Sequence, residues 1–151
     1  MPDTLRLIAL DTEDLAIISA NLQDSLVKVA DMAYLPHSKR FALVAARFDW
    51  VAAAEGKNER CRTGLHFERV LKATRAGFDQ NAKETCLSLL SVVYTAIDSP
   101  AGQVTLTFSG GAALRLDVEC LEAQMHDIGP RWPAKTCPAH KLDDATEMKA
   151  G

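Results

Sequence analysis

Two short runs of this sequence place charged side chains at alternate positions, as β-strands do. In "ARFDW" the alternation puts Arg47 and Asp49 on one face, and in "RTGLHFE" it puts Arg62, His66 and Glu68 on one face. If residues 51–60 fold back so that the two runs pair as antiparallel strands, we expect both polar sets to lie on the same side of the sheet.

Basic residues outnumber acidic ones around the second run. Residues 57–75 contain six basic side chains and two acidic ones, which are Lys57, Arg60, Arg62, Arg69, Lys72 and Arg75 against Glu59 and Glu68. Guanidinium groups bind carboxylates and phosphates through paired hydrogen bonds. The sequence therefore predicts a small-anion site formed by Arg47, Asp49, Arg60, Arg62, His66 and Glu68. The simpler alternative is a solvated sheet face on which the arginines pair with the acidic side chains.

Four cysteines are the residues best suited to nucleophilic or metal chemistry. Cys86 and Cys120 adjoin apolar runs and are predicted to be small core residues, whereas Cys61 lies between two arginines that favour a thiolate if it is exposed. The ligand set of tetrahedral zinc is present in Cys120, His126, Cys137 and His140. Positions 120 and 126 are about 1.7 helical turns apart. We therefore predict no metal and no cofactor, with a zinc-binding protein as an alternative.

The glycine pair in "LTFSGGAALRL" is typical of a hairpin and not of a dinucleotide-binding loop. It precedes a strand and lacks the glycine spacing that a phosphate-binding turn requires. A two-residue turn would pair Leu106 with Arg115 and place an arginine in the core. A three-residue loop over 109–111 pairs Leu106 with Leu114 instead and needs a positive φ, which Gly111 supplies.

Composition limits the function classes. A chain of 151 residues with 48% hydrophobic content is long enough for one core and too short for two. Its net charge of −3 gives no general attraction to nucleic acid or to an anionic membrane, so we predict neither as a partner. Neither an export signal nor a membrane span is visible. We expect a cytoplasmic protein with reduced cysteines.

The first half predicts a strand, a helix and two more strands. "TLRLIAL" alternates as a strand does. The next run, "DTEDLAIISANLQDSL", predicts a helix that Asp11 caps, with an apolar face of Leu15, Ile18, Leu22 and Leu26. "VKVADMAYL" and "FALVAARFDW" predict strands, and residues 51–60 predict a connection.

The second half is mostly strand. "CRTGLHFERVLKATRAGF" predicts one long strand bent near Gly64 or Val70, and "CLSLLSVVYTAI" predicts a strand buried on both faces. Residues 119–129, "ECLEAQMHDIG", favour a helix with Leu121, Met125 and Ile128 on one side.

We expect residues 1–129 to form one domain and residues 130–151 to form a Pro-containing arm and a loose tail. In this arm, Trp132 is expected to dock on the domain, or else to anchor a partner protein. The predicted fold class is α+β: one curled, mostly antiparallel sheet of six to seven strands with an N-terminal and a C-terminal helix. Such a sheet forms a roll or partial barrel, similar to a pleckstrin-homology-like shell.

Several blocks of the chain resemble one known family. "LRLIALDTEDLAIISANLQDSLVKV", "RFALVAARFDW", "RTGLHFERV" and "LTFSGGAALRLDVECLEA", followed by "DIGPRW", are similar to the successive blocks of domain of unknown function 2948, a bacterial family seen mainly in alphaproteobacteria. The resemblance covers residues 4–132. It implies a small cytoplasmic single-domain protein and transfers no catalytic residue.

Fold signals in this sequence are strong and chemical signals are weak. We therefore expect a non-enzymatic binding or adaptor module that recognises a protein or a small anionic ligand. The alternative is a small enzyme whose site is assembled from distant strands, an arrangement that one sequence does not reveal.

Overall fold

The computed structural model describes residues 5–134, which contain two α-helices and ten β-strands. The helices are α1 (Thr12–Leu22) and α2 (Trp50–Ala54). The strands are β1 (Arg6–Ala9), β2 (Ser25–Lys28), β3 (Met32–Leu35), β4 (Arg40–Phe48), β5 (Glu59–Phe67), β6 (Val70–Ala76), β7 (Cys86–Ala96), β8 (Gly102–Phe108), β9 (Ala113–Val118) and β10 (Ala123–Pro133).

All ten strands join one antiparallel sheet, which confirms the predicted α+β class. The order is β1-β10-β5-β4-β2-β7-β8-β9-β6, and β3 pairs with β4 beside β2. The sheet ends at β1 and β6 and is not closed. The predicted number of six to seven strands is wrong because two predicted strands are each broken in two and the predicted C-terminal helix is a strand.

Two long bent strands carry the sheet around its corner. β5 pairs with β10, and after the bend β6 pairs with β9. Between the two halves the Glu68 N–H donates to the Glu122 carbonyl, and the Glu119 N–H donates to the Arg69 carbonyl. Arg69 adopts a φ of 60°. The break therefore falls next to Val70, one of the two predicted positions.

The N-terminal helix begins where the sequence predicts. Asp11 accepts a hydrogen bond from the Asp14 N–H and caps α1. The buried residues of the helix are Leu15, Ile18 and Leu22. Leu26, predicted on the same face, instead lies in β2 and is 37% exposed, because the chain leaves helical geometry at Gln23 and Asp24.

The β8–β9 hairpin has the predicted register. Leu106 pairs with Leu114, and the Phe108 N–H donates to the Ala112 carbonyl across a loop of residues 109–111. Gly111 has a φ of 81°, as its position in the loop requires. An odd number of loop residues was enough to predict this register, because a shift of one residue would have turned Arg115 into the core.

Residues 119–129 do not form the predicted helix. From Ala123 the chain forms β10, which lies between β1 and β5, and Ala123, Met125 and Asp127 are buried with the period of a strand. Ile128 is 52% exposed. The spacing of Leu121, Met125 and Ile128 fits one side of a helix, but strands on both sides satisfy the backbone hydrogen bonds of β10 and decide the outcome.

Three further expectations were wrong in detail. The predicted strand "VKVADMAYL" is interrupted by a 3₁₀ turn at Val29–Asp31. The predicted connection 51–60 includes all of α2 but its first residue and also the first two residues of β5. β7 is buried on one face only, since Leu89 is fully buried whereas Val93 is 51% exposed.

The core lies inside the curled sheet, with α1 packed against β7 and β1. Buried side chains from every strand except β3 and from α1 form this core, and Met32 and Tyr34 of β3 pack against its edge. Among the described residues, no helix is long and apolar enough to cross a membrane.

Candidate functional site

The predicted anion-site residues lie on two different faces of the sheet. β4 and β5 do pair as antiparallel strands, as predicted. In their register Arg47 is opposite Cys61, whereas Arg62 is opposite Ala46. Residues directly opposite each other share a face. Arg47 therefore points into the core and Arg62 points outward, so the prediction that both polar sets share one side is wrong.

On the outer face, Glu68 is already occupied by two neighbours. Its Oε2 atom lies 2.8 Å from Arg40 Nε and 2.8 Å from His66 Nδ1. Arg62 lies on the same outer face and is exposed. Anion binding by Arg62 and His66 stays a prediction, because no contact of the structure tests it.

Arg60 lies near the start of β5, on the same face as Phe48. Its Nη1 atom donates to the carbonyls of Ala46 at 3.0 Å and Asp24 at 3.3 Å. The guanidinium carbon lies 5.6 Å from the Phe48 ring centroid. Burial lowers the pKa of Arg60. Its charge is therefore held by backbone oxygens and an aromatic face, away from Arg47.

Arg47 and Asp127 form a buried ion pair inside the sheet. The Arg47 Nη2 atom lies 2.8 Å from Asp127 Oδ2, and Arg47 Nε lies 3.1 Å from Oδ1. The Thr63 hydroxyl donates to Asp127 Oδ1 at 2.8 Å. Burial raises the pKa of Asp127, but the hydrogen bonds from Arg47 and Thr63 and the Arg47 charge outweigh burial and hold this pKa below its ordinary value.

A second pair extends this network toward α2. Asp49 caps α2 by accepting a hydrogen bond from the Ala52 N–H, and its other oxygen is paired with Arg131. Arg131 also lies 3.6 Å from Asp127 Oδ2. Two cations and two carboxylates thus neutralise one another where β10 bulges between Asp127 and Arg131. The carboxylates of this network are already bound to arginines of the protein itself, so the network serves to hold strands in position.

Sequence reasoning missed this network because it placed Asp127 on a helix. One signal was available: in β4 and β5, the strand alternation puts Arg47 and Thr63 at inward positions. A buried guanidinium needs a carboxylate partner. The inward arginine thus indicated that an acidic residue from another strand should face it.

The structure describes three of the four cysteines, and the condition for a reactive Cys61, exposure to solvent, is not met. Cys61 is 1% exposed, and its Sγ lies 3.3 Å from the Gly129 carbonyl oxygen. Burial and the nearby Asp127 charge raise the pKa of the Cys61 thiol. Cys86, predicted in the core, is exposed, and Cys120 is intermediate. The thiol flanked by arginines is therefore the protected one, because strand alternation turns it inward.

Cys120 and His126, the first half of the zinc ligand set, lie in the described part of the chain. Within residues 5–134 no three His, Cys, Asp or Glu side chains are grouped so that they could hold a metal ion. Cys137 and His140, the second half of the proposed ligand set, lie outside the described residues.

Trp132 lies in β10 opposite Arg60 and is 37% exposed. The strand thus runs past the predicted domain boundary at residue 129.

A cavity of about 390 Å³ lies where β3 faces β6. Residues of β3, β4, β6, β9 and the loop between β6 and β7 line it. The larger apolar side chains of its lining are Val29, Met32, Tyr34, Phe41, Phe78 and Leu114. The polar lining consists of Arg75, Gln80, Asn81 and Lys83. Sequence analysis did not combine these residues, because they come from four stretches of the sequence, 29–34, 41, 73–83 and 114.

Local contacts hold the walls of this cavity in place. The Val29 N–H donates to the Thr85 carbonyl and the Ala30 N–H donates to the Lys83 carbonyl, so the loop after β6 is tied to the turn before β3. At the other end, the Tyr34 hydroxyl donates to the Val70 carbonyl at 2.8 Å. Hydrogen bonds therefore fix the cavity walls near both ends of β3.

The cations of the cavity are available for a ligand. Arg75 and Lys83 are exposed and form no ion pair with any residue in the described range. Phe41 and Leu114 are 3% and 5% exposed and form the floor below them. Unpaired cations above an apolar floor are suited to a ligand that has an anionic group and an apolar part.

The comparisons with known proteins identify a family and no close relative. No curated protein and no solved structure matches the chain. Residues 5–140 match the model of a family described as "Protein of unknown function (DUF2948)". This match confirms the resemblance drawn from the sequence blocks and covers most of the 151 residues. The chain therefore belongs to the DUF2948 family.

Proposed function

We propose that this protein is a binding module that recognises an anionic ligand with an apolar part in the cavity between β3 and β6. The observation that carries the proposal is that Arg75 and Lys83, which form no ion pair with any described residue, lie above a floor of buried apolar side chains. Ligand sites in proteins combine mostly apolar walls with a few polar groups that fix orientation.

Each part of the lining has a distinct role in this proposal. The aromatic rings of Phe41 and Phe78 contact the apolar part of the ligand. Arg75 and Lys83 contact the anionic group, and the side-chain amides of Gln80 and Asn81 add uncharged donors. A ligand that has only one of the two parts would leave either the floor or the cations without a partner.

Binding is tested with para-alkylbenzoates, each paired with its neutral benzamide of the same shape. In calorimetry or NMR titration, 4-butylbenzoate should bind saturably and roughly tenfold more tightly than 4-butylbenzamide, because only the carboxylate meets the cations. Arg75→Gln should remove most of this preference. Lys72→Gln is the matched control, since Lys72 lies on the same strand outside the cavity lining.

A second variant separates shape from charge. Leu114→Trp places a larger side chain in the cavity floor and should weaken the benzoate and the benzamide equally. Circular dichroism checks that the variant remains folded. Saturable binding by neither compound, or a benzoate preference that Arg75→Gln leaves unchanged, contradicts the proposed function.

A further inference from the structure

In the part of the chain that the structure describes, two strand edges that face the cavity have no neighbouring strand. β6 is the last strand of the sheet, and β3 pairs with β4 on one side only. The residues described here give β6 one backbone hydrogen bond on its free side, from the Val70 N–H to the Lys39 carbonyl. At Ala73 and Arg75 the free edge of β6 borders the cavity.

The register shows which backbone groups of β6 face outward. In an antiparallel ladder, alternate residues bond to opposite neighbours. The Phe108–Ala112 hydrogen bond makes Leu106 and Leu114 a hydrogen-bonded pair of β8 and β9, so Arg115 points the other way, toward β6. Arg115 is opposite Thr74, and therefore Thr74 bonds to β9. Its neighbours Ala73 and Arg75 direct their N–H and C=O groups to the free edge.

The same reasoning applies to β3. The Asp49 N–H donates to the Glu59 carbonyl, and the register carries this alternation to Phe41, which bonds to β5. Ala42 therefore bonds to Ala33 of β3, and Tyr34 directs its N–H and C=O groups away from β4. Unused backbone groups thus border the cavity from both strands.

We propose that the ligand is an extended, acidic segment of a partner protein that adds as a strand to the free edge of β6. This proposal rests on the proposed function, since it places one apolar side chain of the segment in the cavity. The backbone of the segment bonds to Ala73 and Arg75, and its side chains alternate between the two faces. Exposed edges of this kind are templates for pairing with another chain.

Charge selects an acidic segment over a second copy of this protein. β6 carries Lys72 and Arg75 and no acidic residue, and Lys83 lies across the cavity from it. Two copies paired through β6 would bring these cations together, which is unfavourable. A segment whose acidic side chains lie beside Arg75 and Lys83 neutralises two charges that form no ion pair within residues 5–134.

The test follows individual backbone amides in the full-length protein. The probe is the peptide acetyl-Thr-Glu-Thr-Phe-Thr-Glu-Thr-amide, whose two Glu side chains and Phe side chain share one face of a strand. The readout is amide hydrogen exchange by NMR. At saturation, exchange at Ala73 and Arg75 should slow at least tenfold, because new hydrogen bonds form there. Lys72 and Thr74 are internal controls, since their amides already bond to β9 and should change little.

Two further probes separate this proposal from simple cavity binding. Two peptides, each N-methylated at one of the two alternating sets of backbone nitrogens, should differ in affinity, because only one set faces β6. A peptide with Lys in place of Glu should not bind. The small probe 4-butylbenzoate should occupy the cavity and leave exchange at Ala73 and Arg75 unchanged, so it reports on the proposed function alone.

Each outcome decides between the two proposals. Protection of Ala73 and Arg75 by the acidic peptide, lost with one N-methylated set, supports strand addition. Benzoate binding without peptide binding, or peptide binding that both methylated sets retain, overturns strand addition and leaves the cavity function standing. Failure of both probes overturns both proposals. Protection of these amides that depends on protein concentration and needs no peptide would show β6 pairing between copies and overturn the acidic partner.

Discussion

Removing one charge from the Arg47–Asp127 pair should strongly destabilise the fold. The Arg47 side chain is 2% exposed and that of Asp127 is 5% exposed. In Asp127→Asn the guanidinium keeps its buried position but loses its counter-charge and the two carboxylate contacts at 2.8 and 3.1 Å. Breaking a buried pair in this way costs about 3–5 kcal/mol.

A cost of this size is a large fraction of total stability. The free energy of unfolding of an ordinary domain is about 5–15 kcal/mol. For a chain of this length the loss corresponds to a fall in Tm of roughly 6–20 °C. Urea denaturation followed by circular dichroism measures the free energy, and calorimetry measures the Tm. Arg47→Met should also be destabilising, because it removes the closest cation from the buried Asp127 carboxylate and leaves only Arg131 at 3.6 Å.

The double variant tests whether the loss comes from an unpaired charge. Arg47→Met combined with Asp127→Leu removes both charges and replaces them with apolar side chains, a change that is often neutral in buried pairs. We expect the double variant to be more stable than either single variant. Losses under about 1 kcal/mol in the single variants, or simple additivity in the double variant, would refute the reasoning that this pair is desolvated.

Three further predictions follow from single sites. The pKa of Asp127 is lowered in the folded state, so ionised Asp127 stabilises the fold above its unfolded pKa of about 3.9, and this stabilisation is lost as pH falls through the folded pKa. The difference in unfolding free energy between the wild type and Asp127→Asn should therefore shrink below about pH 4, as urea titrations would show. Gly77→Ala should lower the Tm more than Gly111→Ala. Both glycines have positive φ, but of the two only Gly77 would bring its new Cβ to within 2.3 Å of a backbone oxygen. The Gly111 variant should lose about 1–2 kcal/mol of stability from backbone strain alone, and equal losses in the two variants would contradict this account. Cys86 should react with a thiol reagent at once and Cys61 only on unfolding, as single-cysteine labelling rates would show; fast labelling of Cys61 in the folded protein would contradict its burial.

The elements predicted well are those whose signals are local. The α1 helix follows from a capping aspartate and an apolar face within one stretch of chain. The β8–β9 register follows from the parity of two adjacent runs around Gly111. The bend near Val70 was visible because the alternation changes phase there. In each case the residues that decide the structure are close together in the sequence.

The candidate site could be predicted only in part. Sequence analysis identified the basic character of residues 57–75, and Arg75 of this segment does line the cavity. It did not identify Lys83 or Phe41 as neighbours of Arg75, because β3, β4 and the loop after β6 meet only in the folded sheet. It assigned Arg47 to an anion site, although Asp127 occupies that arginine.

The sequence by itself determined the class, the first helix, the central hairpin and membership in a family. Only the tertiary structure decided that residues 123–133 form a strand, since the same apolar spacing fits one face of a helix until β1 and β5 bond to both edges. Asp127 meets Arg47 across 80 positions of sequence, and Cys61 becomes buried where β10 covers it. Contacts between distant segments leave no local pattern in the sequence, because the hydrogen bonds and ion pairs that join the segments form only when folding brings them together.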